Sequence, residues 1–381
     1  MKEALPINNS ILIWARETAG LTVDQLAHRL KKDKQTILDW EKGLSSPTYT
    51  VLEALAYEVY KRPVAMFFFP ELPYEDSIKT TFRTLPGTDI EQLPSEISNL
   101  LRKASAMQLN LFELYSENAI EPITNVFELT TQTNIQLLAK KVRDEIGISI
   151  DEQMSWKSVE NGLKRWRSAL ESKQIAVFKE AFRNSSYSGF CLYDELHPLI
   201  YINNSLSFSR QIFTLFHELA HLFMKSSGID FTGATYVDRL PDNYKNYEIL
   251  CNKFAAELLV PDAVFSKIPL AAEEEQIEHI ASLFSVSREM ILRKCLDKKL
   301  CDLAFYRHYA EKWNDDYRDI KKNKENDGGN YYNTMISYLG DKYIHDSFRA
   351  YYRNRISQEQ LSSYFNVSVK NAMELEKRVM G

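Results

Sequence analysis

Phe213-Thr214-Leu215-Phe216-His217-Glu218-Leu219-Ala220-His221-Leu222-Phe223 is the stretch from which the rest of the chain can be read. In a helix, His217 and His221 stand one turn apart on the same face, so two imidazoles can grip one divalent cation. Glu218 is offset from His217 by about 100° and can reach a water held beside that cation. The flanking positions are apolar nearly all round, which marks a helix buried inside a domain. Ionisable groups on such a helix are costly unless a metal or hydrogen-bonding partners satisfy them. The pattern therefore points to the working set of a zinc hydrolase. Catalytic zinc takes three protein ligands and keeps a fourth position open, so a third ligand must come from elsewhere in the chain. No HxxGxxH continuation follows His221, which excludes the metzincin arrangement.

Length and composition bound the remaining possibilities. A chain of 381 residues with 44% hydrophobic residues can bury two or three cores. The start, Met1-Lys2-Glu3-Ala4-Leu5-Pro6, has no basic region leading into an apolar run, and no uninterrupted apolar stretch reaches membrane-spanning length, so a cytoplasmic protein is expected. Cys191, Cys251, Cys295 and Cys301 include no CxxC pair, which argues against a cysteine zinc site and a disulfide framework. The net charge of −5 gives no global attraction to nucleic acid, so DNA binding has to come from a local surface.

Residues 8–70 read as a run of short helices. Thr22-Val23-Asp24-Gln25 has the form of a capping box and opens a short helix with Leu26, Ala27 and Leu30 facing inward. A second helix starts after Asp33, passes through Ile37 and Trp40, and ends before Gly43; another follows over Thr50–Ala56. Two short helices joined by a tight turn make a helix-turn-helix.

Leu21 through Ala27, Gln35 through Gly43 and Ser46-Pro47 together resemble the Cro/C1-type (Xre) DNA-binding domain. The resemblance places the second helix of the pair in the major groove of double-stranded operator DNA. Lys34, Gln35 and Thr36 then face base edges, and Lys42, Ser45 and Thr48 approach phosphates. Asp39 departs from the pattern, since an anion on the groove face repels phosphate. Residues 1–70 hold nine Lys/Arg against eight Asp/Glu, so binding is expected to need a homodimer and to weaken steeply with salt.

Beyond this region, Val64-Ala65-Met66-Phe67-Phe68-Phe69-Pro70 is too apolar for a free linker, and residues 71–90 read as irregular. Ile97, Leu100, Leu101, Ala104, Met107, Leu111 and Leu114 recur at helical spacing, as core or as a dimer or interdomain seam. Residues 137–147 and 156–171 suit helices. Ile175–Phe178, Gly189–Tyr193 and Leu199–Asn203 suit strands, the last two joined at Asp194–Pro198. Residues 199–203 or a neighbouring strand are expected to form an edge able to pair with an extended peptide. Glu248 through Pro261 reads as an apolar helix stopped by proline and carrying two glutamates, Glu248 and Glu257.

Gly189-Phe190, Ile202-Asn203, Arg210 through Thr214, the HExxH itself and Glu248-x-x-Cys-Asn-x-Phe-Ala-Ala-Glu-Leu-Leu-Val-Pro261 resemble the ImmA/IrrE zinc metallopeptidases. The family usually has alanine where Cys251 stands. The resemblance implies a His₂Glu site for one Zn2+ built from His217, His221 and Glu248, with Glu218 as the general base. Glu257 is nine residues from Glu248, on the opposite side of an ideal helix, and reads as structural. Tyr236, Tyr244, Tyr247 and His308 are candidates for an oxyanion donor.

Ile277 through Ile291 has a helix-turn-helix-like pattern that reads as structural. Residues 314–330 read as a linker or mobile loop. Ser357 opens a capped turn, and Phe365-Asn366-Val367-Ser368 repeats the helix-turn-helix cadence in a C-terminal module for partner sensing or dimerisation. The expected fold is α+β and mostly helical. Its parts are a helix-turn-helix bundle (1–70), a helical connector (71–136), a zincin-like metallopeptidase domain with a small sheet (137–312), and a C-terminal helical module (330–381). The function expected is a DNA-binding regulator whose zinc endopeptidase cuts a repressor or antitoxin-like protein in a stress, phage or mobile-element circuit. The alternative is a non-enzymatic antitoxin or repressor whose peptidase fold is a protein-binding platform.

Overall fold

The computed structural model describes residues 5–19, 21–60, 62, 64–72, 93–115, 120–231, 242–269, 273–323 and 330–379. The chain forms two compact units, Met1–Ser105 and Ala106–Gly381. The long helix α5 (Ser95–Tyr115) runs from one into the other.

In the first unit, α1 (Asn9–Thr18), α2 (Val23–Leu30), α3 (Lys34–Glu41) and α4 (Tyr49–Glu53) close on Ile11, Leu12, Ala15, Leu26, Ile37, Trp40 and Leu52. The capping box forms in full: Thr22 Oγ1 accepts from the Gln25 amide and the Gln25 side chain accepts from the Thr22 amide. Lys31 then turns left-handed at φ 53°, and Asp33 enters α3 in extended conformation without a side-chain cap. Arg16 of α1 binds both carboxylate oxygens of Glu41, at 2.6 and 3.2 Å, and fixes the far end of α3. Gly43 follows at φ 72°, where a Cβ would meet the Asn9 amide at 2.3 Å, so α3 has to end there. The helix read over Thr50–Ala56 is α4 followed by a π-helical segment, Ala54–Tyr60.

The second unit is built round a four-stranded sheet of β1 (Ala176–Glu180), β2 (Tyr187–Leu192), β3 (Leu199–Asn203) and β4 (Gly228–Phe231) in the order β1-β3-β2-β4. β1 pairs parallel with β3 (Ala176 with Leu199), and β2 pairs antiparallel with β3 (Gly189 with Ile202) and with β4 (Phe190 with Ile229). β2 and β3 are buried at every position, as befits strands covered on both faces. β3 is therefore interior, so the edge falls not on 199–203 itself but on its neighbour β1, the other strand the sequence left open. Among the described residues the outer strands are β1 and β4, and β4 lies after the HExxH helix, in a stretch too short for a sequence pattern to mark.

Helices α6 (Ile135–Ile146), α7 (Ile150–Met154) and α8 (Val159–Ser172) precede the sheet. Helix α9 (Phe208–Phe223) carries the HExxH and lies against β2, β3, β4 and α10 (Asp242–Leu259). The aromatic pairs Trp166–Phe216 and Phe223–Phe254, with centroids 4.8 and 5.6 Å apart, lock α9 between α8 and α10. The pair α12 (Glu274–Leu283) and α13 (Arg288–Asp297), which follows the short α11 (Asp262–Phe265), adds Ile277, Ile280, Phe284, Ile291 and Cys295 to the same core.

Helix α14 spans Leu303–Asn323, so residues 314–323 are helical rather than linker. The stretch is polar but has no glycine or proline before Gly328, and its lysines and arginine are good helix formers. The rest of that expected linker, 324–329, and most of the irregular 71–90 segment lie outside the described residues. Four further helices close the chain: α15 (Tyr331–Leu339), α16 (Asp341–Tyr352), α17 (Gln358–Phe365) and α18 (Val369–Val379). The apolar stripe of α5 from Ile97 to Leu114 is buried within the single chain. Among the described residues no helix is long and apolar enough to cross a membrane.

Candidate metal centre

Ser207 caps α9 by accepting from the Arg210 amide, and the helix then buries every residue from Thr214 to Phe223. His217 and His221 bring their Nε2 atoms to 3.2 Å from each other. From α10, Glu248 places Oε2 3.2 Å from His217 Nε2 and Oε1 3.4 Å from His221 Nε2. One donor atom from each of the three residues thus falls within a cluster no wider than 4.8 Å. Helix α10 is held at its other end by Arg143, which donates to the Leu258 carbonyl at 2.9 Å, and by Gln153, which donates to the Leu259 carbonyl at 3.0 Å. These contacts satisfy last-turn carbonyls that the helix itself leaves open.

A second layer fixes the imidazoles. Asn252, one turn beyond Glu248, sets its Oδ1 3.0 Å from His217 Nδ1. With Nδ1–H donating there, Nε2 is left with its lone pair facing the cluster. Asp230 of β4 is 7% exposed and reaches within 3.9 Å of His217 Nε2. It is paired with Arg210 at 3.2 Å and accepts a hydrogen bond from Ser188 of β2. Two glycines allow the sheet to come this close. A Cβ on Gly228 would fall 2.8 Å from the His221 ring, and one on Gly189 would fall 2.4 Å from the Thr214 methyl and 3.5 Å from Glu218 Oε1.

The electrostatics describe a site rich in anions. Burial opposes a charged His217, yet Asp230, Glu248 and Glu218 together hold its pKa up to about 10. Burial likewise opposes a charged Glu248, and the two imidazoles overcome it and hold the carboxyl well below the usual range. Glu218 goes the other way: burial, with Asp230 and Glu248, pushes it far above an ordinary carboxyl despite His217 and the neighbouring Cys191 thiol. Both Glu218 oxygens are buried, with the weakly donating Cys191 thiol beside them.

The donor set fits zinc. Two imidazole nitrogens on a tetrahedral zinc, each about 2.0–2.1 Å from the metal, lie about 3.3 Å apart, close to the 3.2 Å between His217 and His221. Two neutral imidazoles and a carboxylate leave a fourth position open, and a cation there neutralises the negative charge that otherwise keeps a proton on His217.

The other residues singled out in the sequence are spread more widely. Glu257 accepts from the Asp262 amide at 3.1 Å and pairs with Lys294 at 3.5 Å, on the side of α10 away from the cluster. Tyr236 and the side chain of Tyr244 lie outside the described residues; Tyr247 is exposed on α10, and His308 is exposed on α14 beside Tyr309. In the first unit, Lys34, Gln35, Lys42, Ser45 and Thr48 are exposed and Thr36 is half-buried. Lys34 pairs with Asp24 at 2.9 Å, Gln35 donates to Asp39 at 2.7 Å, and Thr48 caps α4. Asp230 and the role of Asn252 escape a reading of the sequence, since β4 is short and an Asn beside a buried Cys has no distinctive pattern.

Residues 170–296 match the family model described as the IrrE N-terminal-like domain, of the M78 peptidases. The match contains both helices that carry the cluster. Residues 12–56 match a helix-turn-helix family model. The chain joins an Xre-type helix-turn-helix to an ImmA/IrrE domain. The IrrE-like domain is of metallopeptidase type, its family is zinc-dependent, and the helix-turn-helix supports a DNA-binding regulator. Among curated proteins, none matches the chain.

Proposed function

We propose that the chain is a DNA-binding regulator whose IrrE-like domain is a zinc endopeptidase, with His217, His221 and Glu248 as ligands and Glu218 as general base. The observation that carries the reading is the convergence of the two Nε2 atoms and the Glu248 carboxylate, beside a fully buried Glu218. On this reading residues 1–70 bind DNA and residues 137–312 carry the peptidase.

Bound zinc supplies a Lewis acid that makes water more acidic and polarises the scissile carbonyl. Glu218 accepts the proton of the attacking water and returns it to the leaving amine as the peptide bond breaks. Asn252 keeps His217 in one tautomer and one orientation. β4 is an outer strand and carries Asp230 beside the cluster, so an extended substrate adds next to it through main-chain hydrogen bonds.

The resemblance to ImmA/IrrE proteins supports a repressor or antitoxin-like protein as the substrate, in a stress, phage or mobile-element circuit. The test is to co-express the proteins encoded beside this one with wild type and with Glu218→Gln. Cleavage of one of them by wild type alone is the expected result. A Glu218→Gln protein that keeps the full regulatory output in cells contradicts the reading and leaves the fold as a binding platform.

A further inference from the structure

The C-terminal module repeats the N-terminal helix-turn-helix, position for position, 335 residues on (Ser357 for Thr22). Leu21-Thr22-Val23-Asp24-Gln25-Leu26 aligns with Ile356-Ser357-Gln358-Glu359-Gln360-Leu361, and Asp39-Trp40-Glu41-Lys42 aligns with Glu374-Leu375-Glu376-Lys377. Local structure follows the alignment. Each copy opens with a complete capping box, Thr22 with Gln25 and Ser357 with Gln360. Each first helix is eight residues long and ends on a left-handed residue, Lys31 at φ 53° and Asn366 at φ 52°. Non-glycine residues seldom adopt this conformation, so its recurrence at the same position defines the same turn. The second helix starts after Asp33 in one copy and after Ser368 in the other. In the first copy Leu21, Leu26, Ile37 and Trp40 are buried; in the second Ile356, Leu361, Ala372 and Leu375 are buried. A preceding helix packs against each pair, α1 in the first and α16 in the second.

The turn alone does not make a DNA-reading surface, and the chain contains its own counterexample. Between α12 and α13, Ser285 is left-handed at φ 56° and Ser287 caps the second helix, giving a third turn of this kind. There the second helix buries Met290, Ile291, Leu292 and Cys295 in the peptidase core, and its open face carries Glu289, Arg293 and Asp297, two carboxylates to one guanidinium, which repels phosphate. In α18 the outward face is open. Lys370 and Lys377 are exposed, and they occupy the positions of Gln35 and Lys42 in the first copy. Tyr332 of α15 covers only the flank of Asn371 and Arg378, at 3.5 Å from Asn371 Oδ1 and 4.7 Å from the guanidinium.

Charge selects the occupant. Residues 330–381 hold seven Lys/Arg and five Asp/Glu, a net +2 in a chain of net −5. The open stripe of α18 is lysine at both ends, with Glu374 between them paired to Lys377 at 3.1 Å. A charged stripe of this kind is poorly suited to packing on a second copy, which requires an apolar seam, and well suited to a polyanion. We propose that α17 and α18 form a second DNA-binding helix-turn-helix, with α18 in the major groove and Lys370 and Lys377 on phosphates or base edges, so that one chain presents two DNA-reading helices.

The experiment measures binding of the full-length protein to a random-sequence DNA duplex across a salt series. Lys34→Glu with Lys42→Glu, which sets two anions against the DNA where two cations stood, silences the N-terminal copy, and Lys370→Gln with Lys377→Gln silences the C-terminal one while keeping the side-chain stems. The expected result is that salt-dependent binding survives in the N-terminal variant and disappears when both pairs are changed. In the otherwise wild-type chain, Lys370→Gln with Lys377→Gln lowers the salt slope by about two, about one for each phosphate that is no longer neutralised. The inference is overturned if these two changes leave affinity and slope unaltered, or if they alter only the oligomeric state measured by sedimentation. Absence of DNA binding in the N-terminal variant also overturns it, and leaves the N-terminal reading standing. Loss of binding only when the C-terminal pair is changed supports it and sinks the N-terminal reading instead. A circular-dichroism melt of each variant identifies any that has unfolded. For such a variant, Lys370→Ala alone, at an exposed position, takes its place, with an expected fall in slope of about one.

Discussion

Asn252 Oδ1 lies 3.0 Å from His217 Nδ1, so α10 supplies the site with Glu248 and also with the group that sets the tautomer of a ligand on α9. The two roles are one helical turn apart, and tilting α10 disturbs both.

Replacing Asn252 by alanine is therefore expected to leave all three donors in place and to weaken zinc about 10- to 100-fold, the usual cost of removing the partner of a ligating imidazole. Competition against a chromogenic chelator reads this directly. Unchanged affinity shows that the hydrogen bond is incidental.

The close approach of the sheet to α9 rests on two glycines. Gly189→Ala forces the new methyl into the Thr214 methyl and the Tyr201 carbonyl, at 2.4 and 2.8 Å, and a destabilisation of about 1–3 kcal/mol is expected from such overpacking. Gly228→Ala pushes on the His221 ring itself, so it should lower zinc affinity as well as stability. Denaturant melts with and without zinc separate the two effects: the gain from zinc shrinks for Gly228→Ala and is kept by Gly189→Ala.

At the N-terminal copy, changing Gln35 is expected to alter which sequence is preferred, whereas Lys42→Ala should weaken all sites alike and reduce the salt slope by about one. The Asp39 carboxylate, which accepts from Gln35 at 2.7 Å, adds a third expectation. Asp39→Asn removes a negative charge facing the phosphates and tightens binding. Footprinting on the protein's own upstream region, followed by a salt titration, checks all three.

Much of this architecture can be read from residue order because its signals are local. The capping boxes at Thr22 and Ser357, the stop at Pro261 and the HExxH repeat each involve residues within a turn or two of one another. β4 could not be read, since four residues carry too little periodicity, and with it went Asp230, whose place beside His217 depends on long-range strand pairing. The edge could be narrowed only to 199–203 or a neighbouring strand for the same reason: strand order in the sheet is a tertiary property. Residues 314–323 are polar, and polarity alone does not separate a helix from a linker. The repeat at 356–377 was visible only as a cadence until the left-handed Asn366 gave it the geometry of Lys31.

The central claim is the ligand set, and metal content tests it most directly. Zinc per chain is measured in purified wild type, Glu248→Gln, Glu257→Gln and Glu218→Gln after dialysis against a weak chelator. The account predicts one zinc in wild type, in Glu218→Gln and in Glu257→Gln, and loss of it in Glu248→Gln. Because Glu257 holds the Asp262 amide and Lys294, its variant should lose stability and keep the metal. Zinc retained by Glu248→Gln and lost by Glu257→Gln contradicts the account.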